Sequence, residues 1–347
     1  MGKLKFKITG LITIAIIIVC IIAIVELAIK NTPDGTLLLI LSFYVALIEG
    51  SVAVVAAADA AKGKWIEPVK RDLLAFYPLI AFIAILFLLF GFHLEIYPWT
   101  KFDHRWLNPP FFIIRNTILL FAVYLIAQQY VKASLSNKES KVRWAIVYLF
   151  AFVISQSMVA FDWVMSLEFP WVSTLFGGIF FMEAFYGGLA LLGIISAFLI
   201  FSGSTTGKGV TKVLKDSATF IFGFALAWAG LFFAQYLVIW YGNLPFETSF
   251  FTKRMNSAPY SYLLWIHFFM LFIIPFVGLV AKKVKTSPTW VIIMSVVVLG
   301  GILIERMYYI LPVTSINILW WIGEFVLVGF LLCIYFFNRQ EFLKIPK

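Results

Sequence analysis

Residues 36–61 read TLLLILSFYVALIEGSVAVVAAADAA, an apolar run interrupted only by Glu49 and Asp59. A helix needs about 20 such residues to cross roughly 30 Å of hydrocarbon, so the stretch is long enough to span a bilayer. Nine more stretches of the same kind lie at about 8–29, 72–93, 111–134, 143–165, 171–201, 217–241, 261–281, 290–311 and 318–337. The turns between them carry breakers and charge, as in Thr32-Pro33-Asp34-Gly35, Asn108-Pro109-Pro110, Ser202-Gly203-Ser204 and Thr286-Ser287-Pro288. Composition agrees, with 63% hydrophobic and 13% charged residues, against about a quarter charged in a soluble domain. The 347 residues are expected to form one integral membrane domain, an all-α polytopic protein with ten transmembrane helices.

Cys20 and Cys333 both lie inside apolar runs, far apart in sequence. They exclude a disulfide framework and any cysteine-ligated zinc or iron–sulfur site within the chain. There is no C-x-x-C-H for covalent haem, and no phosphate loop, H-E-x-x-H, G-x-S-x-G or dinucleotide fingerprint. The net charge of +10 reports topology, because 20 of the 27 Lys and Arg residues fall at the termini and in the even-numbered loops. The positive-inside rule makes that side cytoplasmic, and nucleic acid is discarded as a partner. Lys3, Lys5 and Lys7 precede the first apolar run, but no small-residue cleavage site follows and Val19-Cys20 makes a poor lipoprotein box. The first run is read as a retained helix.

Ionisable side chains in hydrocarbon are costly and mark partners or function. At about 1.5 Å per residue, Glu49 and Glu183 fall near mid-depth on spans two and six, with no basic residue at their level. Asp59 lies nearer the cytoplasmic end. Arg115, Asp162, Glu305, Arg306 and Glu324 share an outer layer, while Glu26 sits too near the end of span one to weigh. Two readings stand: a proton route from the outer cluster through Glu183 and Glu49 to Asp59, or static pairing of Arg115 or Arg306 with Asp162 or Glu324. A single b-type haem would require His93 to face His267, His104 being in a loop; the plainer reading is hydrogen bonding. Ala53, Ala56, Ala57 and Ala60 on span two, and Gly177, Gly178, Gly187 and Gly188 on span six, are small-residue clusters expected to let these helices approach their neighbours closely in a tight bundle. Pro78 and Pro275 are expected to kink spans three and eight.

Two motifs narrow the function. The first reads Phe161-Asp162-Trp163-Val164-Met165-Ser166-Leu167-Glu168 and continues Trp171-Val172-Ser173-Thr174-Leu175-Phe176-Gly177. The second follows Trp228 and reads Gln235-Tyr236-Leu237-Val238-Ile239-Trp240-Tyr241-Gly242-Asn243-Leu244-Pro245, with Glu247-Thr248 beyond. Together they resemble the second quinone-binding membrane subunits of alternative complex III, a quinol:electron-acceptor oxidoreductase, in the NrfD/polysulfide-reductase membrane family. The resemblance implies two four-helix bundles, 36–165 and 171–311, with the helices 8–29 and 318–337 peripheral. It also implies a respiratory complex in a bacterial inner membrane, whose haem c and iron–sulfur clusters reside on partner subunits. Those partners are a sister NrfD-like membrane subunit, to which the resemblance assigns quinol oxidation, an iron–sulfur protein and c-type cytochromes; this chain is expected to hold no metal, with quinone or quinol as a candidate ligand and proton conduction as its candidate role.

Asp162, Trp163, Glu168 and Trp171 become the quinone-site candidates. Glu49, Asp59, Glu183, Asp162, Glu305 and Glu324 become the proton-route candidates, and Arg115 and Arg306 the outer ion-pair candidates. Ser166, Ser173, Thr174, Gln235, Tyr236, Trp240, Tyr241 and Asn243 match the remaining motif positions. Phe169-Pro170-Trp171 departs from the family's Pro-His-Trp, and Phe246 stands at an often acidic position; both changes remove outer bases. Glu183 replaces an expected small residue and adds an acid at mid-depth. A polysulfide- or nitrite-reductase type anchor, a secondary transporter and a purely structural anchor for extrinsic subunits are the other readings.

Overall fold

The computed structural model describes residues 8–30, 33–203 and 208–343; Lys3, Lys5, Lys7, Thr32 and Ser204 lie outside them. Ten helices are long and apolar enough to cross a membrane: Ile8–Ile29, Thr36–Ala60, Glu67–Ile96, Pro109–Leu135, Lys141–Glu168, Leu175–Phe201, Gly209–Gly242, Tyr260–Gly278, Pro288–Ile310 and Ile318–Phe342. No strand occurs among the described residues. The chain is an all-α polytopic membrane protein.

Local chemistry sets several of the starts. The side chains of Asn108, Ser287 and Asn317 accept the backbone N–H groups of Phe111, Trp290 and Trp320, which the first turn of a helix leaves without partners. Pro109 and Pro288 then occupy first helical positions, where a missing N–H costs nothing. Inside span three, Pro78 closes a turn over 75–78 that separates Lys70–Leu74 from Leu79–Phe90. In span eight, Pro275 follows a π turn at Phe269–Ile273. Further π turns occupy Val25–Ile29 and Val159–Val164. Such insertions swing side chains off the regular helical face and often mark functional positions. One helix has no counterpart in the hydropathy pattern: Pro245–Met255, in the connection between spans seven and eight.

Spans two to five close one four-helix ring, and spans six to nine close a second. Span six runs along span two and joins the rings, while spans one and ten pack on each other and against spans two and three. Span two is buried along its whole apolar length, and spans one, seven and eight turn most of theirs outward. The run that decides the fold is therefore also its centre.

Spans two and six meet backbone to backbone. A Cβ added to Gly50 would lie 1.8 Å from the carbonyl oxygen of Ala184, and one added to Gly188 would lie 2.3 Å from that of Gly50. Close approach of this kind supplies the dispersion contacts that hold helices together where lipid is as apolar as the side chains. Gly50→Ala is expected to push the rings apart and lower stability by about 1–3 kcal/mol. Gly230→Ala on span seven, where the new methyl meets open space, is expected to stay within about 0.5 kcal/mol of the parent. Thermal unfolding of both variants in one detergent makes the comparison.

Candidate functional site

Span five delivers the first motif through its π turn. Asp162 and Trp163 point into the first bundle, where the Asp162 carboxylate accepts from Arg115 Nε at 2.7 Å and from Asn116 Nδ2 at 2.7 Å. Trp163 donates from Nε1 to Asn116 Oδ1 at 3.0 Å and stacks on Phe87 at 4.6 Å. Tyr97 donates to the Trp163 carbonyl, and Trp99 donates to Ser166 Oγ. Arg115 lies over the Trp106 ring and reaches the Trp106 carbonyl. Asp162 is thus engaged by a cation and an amide, and both it and Trp163 are buried.

Glu168 and Trp171 go elsewhere. Glu168 pairs with Arg254 at 2.8 Å and Lys253 at 3.4 Å, both on the helix Pro245–Met255. Arg254 is fully buried; it donates to the carbonyls of Phe250, Tyr308 and Tyr309 at 3.0–3.1 Å and lies 3.8 Å over the Phe250 ring. Burial pulls its guanidinium below the ordinary value, and the Glu168 carboxylate opposes that fall. Trp171 stacks on Phe250 at 3.9 Å. The four quinone-site candidates are therefore divided, two inside the first bundle and two at the mouth of the second.

That mouth opens into a narrow slot lined by Trp171, Trp228, Gln235, Phe250, Glu305, Tyr308 and Tyr309, among others. Ser173 fixes Gln235 by donating to its Oε1 at 2.7 Å. The slot is a cavity of about 10 Å³, room for about one water molecule. A ring-sized guest requires its aromatic walls to part. Three buried polar atoms on the lining have no protein partner: Trp171 Nε1, Tyr308 Oη and Glu305 Oε2.

Behind the slot lies a buried charge cluster. Glu305 accepts from Tyr309 Oη at 3.0 Å and is within hydrogen-bonding reach of Glu183. Glu183 accepts from Trp228 Nε1 at 3.2 Å and lies 2.7 Å from Arg306 Nη1, a contact of charges without aligned hydrogen-bond geometry. The Arg306 guanidinium rests 3.6 Å over Phe180. His267 Nδ1 meets the Leu263 carbonyl at 2.7 Å, so that nitrogen carries the proton, and Nε2 stands 4.0 Å from Glu305.

These positions correct several expectations. Glu183 does have a base at its level, because Arg306 turns inward to it and pairs with neither Asp162 nor Glu324. The outer ions form no single cluster: Arg115 with Asp162, and Arg306 with Glu183 and Glu305, sit in different bundles, and Glu324 lies outside both. Glu49 and Glu183 flank the Gly50–Gly188 crossing and serve opposite rings. Glu49 accepts from Ser155 Oγ at 2.9 Å and Gln156 Nε2 at 2.7 Å, both on span five. Asp59 is tied to Lys70 at 2.8 Å, Tyr130 at 2.8 Å and Ser134 at 2.5 Å. No hydrogen bond among the described residues joins these acids into one file. His93 contacts Glu26 at 3.1 Å beside span one and His267 belongs to the second bundle, so the two do not face each other across a haem. Glu26, discounted in the sequence, is buried and ion-paired. Tyr236, Trp240 and Tyr241 point outward from span seven, and Asn243 takes the left-handed backbone that ends it.

Arg254 and Phe250 carry no hydropathy signal as site residues, because 245–255 falls between the apolar runs 217–241 and 261–281. A different signal was present, in Pro245 at a helix start, Glu247 in the first turn and Lys253-Arg254 in the last. The chain matches no protein-family model and no curated protein, so its function is argued from this site.

Removing one partner of a buried pair strands the other charge, at a cost of roughly 3–5 kcal/mol. Arg306→Met is expected to lose stability on that scale, and Arg306→Met with Glu183→Gln to recover most of it. Melting temperatures of the single and double variants in detergent check the pairing.

Proposed function

We propose that this chain is a membrane subunit of a respiratory quinol:electron-acceptor oxidoreductase of the alternative complex III type, and that the second-bundle slot receives the quinol headgroup. The observation that carries the reading is the slot itself: an aromatic cleft that ends on a buried carboxyl with an unengaged oxygen. Quinol oxidation needs an apolar cleft, a base for the hydroxyl proton and an electron acceptor nearby. Trp171, Trp228 and Phe250 supply faces for a ring. Tyr308 Oη and Trp171 Nε1 are donors for a quinone oxygen, and Glu305 Oε2 is the base. Glu183, Arg306 and Tyr309 surround Glu305, so a proton gained there is shared with a second carboxyl beside a fixed positive charge.

When bound, a quinol contributes two electrons and two protons. The electrons leave to an acceptor on partner subunits, where the motif resemblance places haem c and iron–sulfur clusters. The distribution of Lys and Arg supports a bacterial inner-membrane location with both termini cytoplasmic, which puts the slot on the outer side. Glu49, bonded in the first bundle, is a protonatable group on the corresponding first helix of the other ring, and supports proton movement alongside quinol chemistry.

Purification through a tag on this chain in mild detergent, with mass spectrometry of the co-purifying proteins and a visible spectrum, tests the assignment. The expected result is a sister membrane subunit, an iron–sulfur protein and c-type cytochromes. A molybdenum- or multihaem-reductase partner would move the reading to the polysulfide- or nitrite-reductase type. A chain that arrives alone and colourless from intact membranes would sink it. In the assembled complex, Glu305→Gln is expected to slow quinol oxidation by about 10²–10⁴-fold, the usual worth of a positioned base. Quinol turnover at saturating acceptor measures that loss.

A further inference from the structure

On the outer flank of the first bundle, spans one and ten and the end of span three enclose a second set of ionisable groups that the slot does not use. Glu26 lies in the π turn Val25–Ile29, Lys30 follows it, and Asp34 stands in the connection to span two. His93 comes from the last turns of span three, and Glu324 from span ten, six residues or about 9 Å beyond Ile318. Glu26, Asp34, His93 and Glu324 are buried, Glu26 and Glu324 to within 2% of complete, and Lys30 is half-buried with its side chain turned inward. Lys30 Nζ bridges Glu26 Oε1 at 2.9 Å and Asp34 Oδ1 at 2.8 Å, and His93 Nε2 approaches Glu26 Oε2 at 3.1 Å. Asp34 also accepts from the backbone N–H of Thr36.

Glu324 is the exception. Both of its oxygens are buried without a donor, and its carboxyl lies within hydrogen-bonding reach of Glu26. Among the described residues the fixed cation beside it is Lys30, already divided between Glu26 and Asp34. Two carboxyl groups that face each other away from water cannot both stay ionised, and a single proton between them removes the repulsion and supplies the missing donor. Span one adopts π geometry at this point, which aims Glu26 into the contact.

We propose that Glu324 and Glu26 form a proton-binding site, holding one proton between their carboxyls and exchanging it with water through Asp34. Asp34 is the most exposed side chain of the set, at 11%, and Lys30 connects it to Glu26. Facing charged or titratable groups come from span one (Glu26, Lys30), its following connection (Asp34), span three (His93) and span ten (Glu324). None of these residues lines the slot, so the site stands independently of the quinol reading.

Infrared difference spectroscopy of the full-length chain in lipid nanodiscs, with pH steps in water and deuterated water, tests the proposal. The expected result is a carboxylic-acid carbonyl component that Glu324→Gln and Glu26→Gln each abolish and Glu49→Gln leaves in place. Glu324→Gln keeps the shape and neutrality of the protonated acid and is expected to melt with the parent. A membrane-soluble carbodiimide, which couples to carboxylic acids and not to carboxylates, reads the same proton on the unaltered chain. An adduct mapped to Glu324, with a yield that falls as pH rises, supports the site. A Glu324→Gln spectrum identical to the parent's overturns it. If that variant fails to fold, the absence of an adduct at Glu324 across the pH range overturns it instead.

Discussion

The crossing of spans two and six at Gly50, Ala184 and Gly188 sets the geometry on which the other contacts depend. With no methyl groups between them, the two backbones touch, and each helix presents its neighbouring glutamate to a different ring. Glu49 turns toward Ser155 and Gln156, and Glu183 toward Trp228 and Arg306. A wider crossing would separate the rings and open a gap beside both acids. In lipid, where apolar burial gives no net drive to bring helices together, this contact is what makes two bundles one body.

Charge is distributed around that contact under a severe constraint. A bare ion in a low-dielectric interior is far more costly than a paired one, and the protein meets the cost in three different ways. Asp162 is neutralised by Arg115 and further held by Asn116. Glu183 and Glu305 share one arginine, which leaves more carboxyl groups than cations. Glu49 has hydroxyl and amide donors in place of a cation. The second arrangement suits chemistry, because a site with surplus carboxyls has somewhere to put a proton.

Much of this was legible in the sequence, and the losses have a common cause. Span positions followed from apolar run length, which needs no partner to be read. Tight helix packing followed from glycine and alanine spacing, but the meeting of span six with Gly50 of span two did not, because small residues mark a close approach without naming the partner. The depth of each ionisable residue was also readable, but its direction around the helix was not. Arg306 was placed by depth beside Asp162 and Glu324, yet it belongs to Glu183, because a long side chain reaches along the bundle to a neighbour that axial counting puts on another level. The π turns at 25–29 and 159–164 compound the problem by shifting the phase of their helices, and Glu26, set aside for its place at the end of span one, is turned inward by the first of them. The helix 245–255 was missed because its mixed polarity gives no hydropathy signal, although its end residues announced it.

That helix bears on how the slot is reached. Phe250, one face of the Trp171 stack, is carried by a segment outside the hydrocarbon layer. Arg254 fastens the segment to the carbonyls of Tyr308 and Tyr309 and, through Glu168, to the end of span five. The cover of the slot is therefore a latch mounted on the water-exposed surface of the bundle. Opening the cleft means breaking the polar ties of Arg254 before the stack of Trp171 on Phe250 can part.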